Sequence, residues 1–157
     1  MMVSVLLAAL AAQAPAQTAP VAQAPAAADF STAPAAAGSW SYRTGAGTSH
    51  AQFTDATAAP RLSVTCTRAT RRVSIVRSGV AAPVTAMALW TSSLQRSVPA
   101  RGDAAAMTLT AELAAFDGLL DAIAFSRGRF VVWAQGLAPL VLPPAPEAAR
   151  VIEDCRN

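Results

Sequence analysis

The chain has 157 residues, 13% of them charged, and a formal net charge of +3. That length holds one domain of ordinary size. All twelve basic residues are arginines spread along the chain, which argues against the concentrated basic stripe of a nucleic-acid binder. One histidine and two cysteines, none locally spaced, do not make a zinc site.

The first segment reads as an export leader over residues 1–16. Met2 to Ala12 is an apolar run of small and branched side chains, and Ala12-Gln13-Ala14 and Ala14-Pro15-Ala16 offer cleavage sites. The run is shorter than the roughly 20 residues that span a bilayer. It departs from the usual leader in having no Lys or Arg before it. Residues 17–38 are almost all Ala, Pro, Gln and Thr, with little to bury beyond Val21 and Phe30. Such a composition predicts a semi-extended tether. The folded unit is expected over 39–157, with no transmembrane span.

Ser39 to Arg43 alternates polar and aromatic residues, Gly45-Ala46-Gly47 turns, and Ser49 to Phe53 returns, which predicts two strands. Arg61 to Thr67 is the cleanest strand pattern. Leu62, Val64 and Cys66 share one face, and Ser63, Thr65 and Thr67 the other, so Cys66 points inward. Arg72 to Arg77 is its expected hairpin partner. Pro83 to Ser92 reads as a third strand of this set, apolar on both faces and therefore central. Leu94 to Gly102 reads as a connection around Pro99. From Ala106 to Leu113 alternation resumes, with Met107, Leu109, Ala111 and Leu113 inward.

The period then changes. Phe116, Leu119, Leu120, Ile123 and Ala124 fall on one helical face, with Asp117 in the first turn and Gly128 at the C-terminal cap. Arg129 to Ala134 and Leu137 to Leu142 form a predicted hairpin, and Pro139 puts the second arm at an edge. Pro146 suits the first turn of a last helix. Its face carries Ala148, Val151, Ile152 and Cys155, so Cys155 also points inward. The expected fold is mostly β (α+β): an antiparallel sandwich or bent sheet with one internal and one C-terminal helix.

Cys66 and Cys155 suit a long-range disulfide, given export. The alternative is two buried free thiols. His50 is the one candidate general base, yet no G-x-S-x-G elbow or S-x-x-K motif accompanies it. Asp117 and Asp121 lie four apart and read as one dipole-favoured residue plus one solvated residue or arginine partner. Arg127 and Arg129 flank the helix-to-strand junction. They suit either an anion or partner contact or internal pairing with Asp121, Glu147 or Asp154. Trp40, Tyr42, Trp90 and Trp133 suit sheet packing, with a carbohydrate or peptide groove as the alternative.

Leu62-x-Val64-x-Cys66, Arg72 to Ile75, Asp117 to Ala124, Ser126 to Phe130, Leu140 to Pro143 and Val151 to Arg156 carry a resemblance. In them the chain resembles a group of small exported proteobacterial proteins. The order of elements is similar to the periplasmic accessory proteins of type VI secretion (VasI/TagO type), and less so to invasion-associated locus B proteins. The resemblance implies a β-rich exported accessory role and carries over no catalytic residue. The expected function is a periplasmic or secreted binding or accessory module without a cofactor, acting on an unknown protein or envelope component. An envelope hydrolase using His50 with a Ser or Asp is the alternative.

Overall fold

The computed structural model describes residues 30, 32–81 and 83–157. The leader and most of the tether lie outside these residues. Two antiparallel sheets face each other. Sheet I contains β1 (Gly38–Gly45), β2 (Thr48–Asp55), β3 (Pro60–Thr67), β4 (Arg72–Ser78), β7 (Arg101–Asp103) and β8 (Thr108–Ala114), in the order β1-β2-β3-β4-β8-β7. Sheet II contains β5 (Ala86–Trp90), β6 (Gln95–Pro99), β9 (Phe130–Trp133) and β10 (Leu140–Leu142), in the order β10-β9-β5-β6. Helices α1 (Gly118–Ala124) and α2 (Pro146–Asp154) complete the second layer.

Period-two alternation sorts the side chains of sheet I. Phe53, Leu62, Val64, Cys66, Val73, Ile75, Leu109 and Ala111 are all buried on its inner face. Ser63, Thr65, Ser74, Thr110 and Glu112 take the opposite face. One packed face and one polar face is the usual state of an antiparallel sheet. Sheet II is different, because β5 is apolar on both sides. Met87 and Leu89 enter the main core, while Ala88 and Trp90 join Val131 and Val141 in a second cluster. Phe30 and Ala33 pack on that cluster, with Phe30 stacked on Trp90 at 5.1 Å between centroids. The segment before β1 therefore covers the outer face of sheet II, and the Ala36 N–H donates to the Val141 carbonyl.

The Pro83 to Ser92 segment is central, as its two apolar faces predict, but in the other sheet. β8, not β5, lies beside β4. Alternation specifies which face a residue takes, not which neighbour its strand pairs with. The expected connection at Leu94 to Gly102 is instead two short strands. β6 closes sheet II, and the chain turns the corner at Ala100 to enter sheet I as β7. Met107 is not inward: it sits in the β7–β8 turn at φ 50° and is exposed.

Asp117 is the N-cap of α1 rather than a first-turn residue, accepting from the Leu119 N–H at 2.8 Å. Phe116, just outside the helix, is exposed beneath the Arg156 guanidinium. The helix ends with Phe125 as C-cap, so Gly128 serves the following turn. α2 has the expected face: Ala148, Val151, Ile152 and Cys155 are buried.

Candidate functional site

α2 lies against the inner side of β1, β2 and β3. Three sets of contacts hold it there. Cys155 is bridged to Cys66 on β3 with Cα atoms 5.5 Å apart. Arg156 pairs with Asp121 at 2.7 Å, and its Nε–H donates to the Ala115 carbonyl at 2.9 Å, fastening α2 to α1 and the end of β8. At the other side the Tyr42 hydroxyl donates to Asp154 at 2.6 Å, and the Arg150 guanidinium sits 4.5 Å above the Tyr42 ring.

Between β1 and the first turns of α2 a groove of about 380 Å³ remains, lined by Trp40, Ser41, Tyr42, Pro146, Glu147 and Arg150. Its volume falls within the roughly 300–1,000 Å³ of small-molecule sites. Trp40 also packs inward against Phe53 and Phe130, and its indole N–H is buried without an acceptor.

One wall of this groove is a strand edge. β1 pairs with β2 on one side only. The Ala37 carbonyl accepts from the Ala56 N–H, on the β2 side. Backbone groups alternate in direction along an antiparallel strand. Ser39, Ser41, Arg43 and Gly45 therefore face β2, and Gly38, Trp40, Tyr42 and Thr44 turn their N–H and C=O outward. Among the described residues no backbone group bonds to those four on the outer side. The other sheet edges are blunted. β7 and β10 are three residues each, Ala36 covers β10, and β6 ends in Pro99. β1 has eight residues and no proline.

The remaining sequence candidates take other places. His50 is on the outer face of β2 with Nδ1 2.8 Å from the Thr65 hydroxyl. Burial, and then the charge of Arg43 directly opposite on β1, hold the imidazole below its usual pKa of 6.5. Asp117 accepts from Arg96 at 2.6 Å, and Asp121 is the partner of Arg156, so each aspartate has a structural cation. Asp154 likewise accepts from Tyr42. Arg127 is exposed on the turn after α1, where its backbone N–H donates to Ser92. The Arg129 carbonyl accepts from Ser126. Trp90 stacks on both Phe30 and Trp133, so these tryptophans belong to the covered face of sheet II. Of the four aromatics weighed as a groove, Trp40 and Tyr42 line one.

Two features escaped the sequence reading. Arg77 follows Val73 and Ile75 onto the inner face of β4 and is 3% exposed. Its guanidinium donates to the carbonyls of Arg61 and Ser78, and burial together with the charge of Arg61 lowers its pKa to about 10. An arginine in a strand carries no mark that it is the inward one except its parity with Val73 and Ile75. The second feature is a wider concavity of about 580 Å³ beside β7 and β8, lined by Arg101, Asp103, Thr108, Thr110 and Glu112 among others. It exceeds the β1 groove in volume, but its lining is a solvated sheet face of mixed charge. Asp103 there is already engaged by the Ala106 N–H. The smaller groove is the better candidate because it joins aromatic walls to unpaired backbone.

Among the described residues, no group of three His, Cys, Asp or Glu side chains is placed to hold a metal ion. No described helix is long and apolar enough to cross a membrane. Compared with protein-family models, curated protein sequences and solved structures, the chain matches none.

Proposed function

We propose that this chain is an exported binding or accessory module that works by contact at the groove between β1 and α2. The observation that carries this reading is the open eight-residue edge of β1 beside Trp40 and Tyr42, where the other three sheet edges are short, covered or ended by proline. The Cys66–Cys155 bridge fits an oxidising compartment, and it secures the helix that forms the second wall. Periplasmic or secreted residence and the accessory role implied by the resemblance belong to the same proposal. The hydrolase alternative has less support, because the one histidine is bonded to a threonine hydroxyl beside a cation rather than oriented by a carboxylate.

The test is crosslinking in the intact cell envelope, with photo-reactive residues placed at Ser41 and Glu147 and, as a reference, at Glu112. The proposal expects a discrete adduct from the first two positions and none from the third. Absence of any adduct from all three would contradict it.

A further inference from the structure

We infer that one end of sheet I, where Arg43, Arg68, Arg71 and Arg72 gather beside the exposed Phe116, rests on the surface of a lipid bilayer with anionic headgroups. The surface is separate from the β1–α2 groove: none of these five residues lines either concavity described above.

The arginines are scattered in sequence, and the fold collects them. The Arg68 N–H in the β3–β4 turn donates to the Gly47 carbonyl in the β1–β2 turn at 3.0 Å. The Arg68 guanidinium reaches the Thr44 hydroxyl on β1 at 3.1 Å. The Arg71 carbonyl accepts from the Ala115 N–H at 3.0 Å, which brings in the residue before Phe116. Arg156 lies over Phe116, its guanidinium 5.6 Å from the ring centroid. Arg43 pairs with His50 and Arg72 with Thr67, so both take the outer face of sheet I, opposite Cys66. Three strand spacings, about 14 Å, separate them across the sheet.

Arg43, Arg71 and Arg72 are exposed, and among the described residues none of the four arginines is in an ion pair. Around α1 and α2, Asp117, Asp121 and Asp154 are already held by Arg96, Arg156 and Tyr42. Glu112 on β8 and Glu153 near the end of α2 are too few to balance the arginines. Such an excess of positive charge calls for an anionic partner.

The chain does not supply that partner itself. Outside the described residues its one carboxylate side chain is Asp29. A two-fold contact with a second copy presents the same patch to itself and sets arginines against arginines. A bounded ligand such as a sugar prefers a concavity, and neither concavity reaches these residues. An extended anionic surface needs none. Phe116 is 66% exposed beside these cations. An apolar side chain among arginines suits the boundary where headgroups meet acyl chains, where apolar burial and attraction to anionic lipid add. The other exposed phenylalanine, Phe125, has Arg127 as the one exposed arginine of its turn.

The experiment is vesicle flotation of the full oxidised chain. One set of vesicles is phosphatidylcholine alone, and the other carries roughly a third phosphatidylglycerol. The chain is expected to float with the anionic vesicles only. Raising NaCl from about 0.05 to about 0.5 M should weaken binding at least tenfold, because salt screens exposed charges. Each arginine near an anionic surface contributes about fivefold in affinity, so Arg71→Gln with Arg72→Gln should weaken binding about 25-fold. Phe116→Ser should weaken it at least about fivefold. Arg101→Gln with Arg127→Gln removes equal charge elsewhere and should change binding less than about threefold. Melting temperatures should be unchanged in all of these variants. In the unaltered chain, a spin-labelled headgroup lipid should broaden the amide signals of Gly47, Arg71 and Phe116 more than those of Arg101 and Arg127.

No flotation, or equal flotation with uncharged vesicles, would overturn the inference. So would equal losses from the two arginine pairs, or broadening centred on Arg127. Full release by free glycerol phosphate at the same phosphate concentration would mean an isolated anion site instead of a surface. Self-association without vesicles that Arg71→Gln with Arg72→Gln abolishes would mean a second copy.

Discussion

Replacing both cysteines with alanine tests how much of the fold depends on the clamp between α2 and sheet I. The bridge closes a separation of 89 residues. In the chain-entropy model that closure stabilises by about 4.6 kcal/mol at 25 °C. Both cysteines are essentially fully buried, at 0% and 1% exposure, so the emptied sulfur volumes add about 1 kcal/mol. Native disulfides return about 2–5 kcal/mol in practice. Against a total of about 5–15 kcal/mol for a domain, that is a large share. The C66A/C155A chain should lose about 2–5 kcal/mol in urea unfolding and melt roughly 10–20 °C lower. Trp40, Trp90 and Trp133 provide the fluorescence signal. The loss should be uneven, because α2 is joined to the sheet by this bond at one end and by Tyr42 and Asp154 close by. Amides of α2 should therefore exchange faster than those of β3 and β4. A stability loss below about 1 kcal/mol, with α2 amides as protected as before, would refute the clamp.

Gly38→Ala should destabilise by about 1–3 kcal/mol, because a Cβ there would lie 2.1 Å from the Thr54 carbonyl and 2.7 Å from Phe53 Cζ; denaturant midpoints measure it. Arg156→Met should cost about 1–2 kcal/mol by freeing Asp121 and the Ala115 carbonyl, and Asp121→Asn in the same background should then add little. Phe30→Ala should cost about 1–2 kcal/mol and red-shift the tryptophan emission, since Phe30 covers Trp90. His50 has a pKa lowered on folding, so the unfolded chain binds the proton more readily. Its contribution is present above about pH 6.5 and is lost as pH falls through the interval between its unfolded and folded values; His50→Gln should flatten that slope, and an equally steep slope in the variant would contradict the assignment. If the chain is instead an envelope hydrolase, the same substitution abolishes its turnover.

How far the fold was legible depended on what each pattern encodes. Leu62-x-Val64-x-Cys66 states a face, and that face is the core. Ala148, Val151, Ile152 and Cys155 state a helical stripe, and that stripe is buried. Together they bring both sulfurs inward from different elements. Partner choice is not written in alternation, so β5 reads as a third strand of the β3–β4 set although it lies in sheet II. β6 and β7 are edge strands with a single buried apolar residue, Val98, between them. They carry almost no periodic signal. Met107 and Phe116 continued an apolar rhythm past the points where the backbone leaves strand and has not yet entered helix. Phe30 reads as tether because its own segment is poor in apolar residues; its value comes from Trp90, sixty positions later. The groove was visible in sequence only as the pair Trp40 and Tyr42. Its second wall, Glu147 and Arg150, became a neighbour through the disulfide that places α2.

The most direct test is the intact mass of the protein recovered from the cell envelope, before and after reduction, with thiol alkylation at each step. An exported, clamped module predicts a chain shortened after Ala14 or Ala16, inert to alkylation, which gains two hydrogens and two alkylatable thiols on reduction. A full-length chain confined to the cytoplasm, with Cys66 and Cys155 alkylated without reductant, would contradict both the compartment and the clamp.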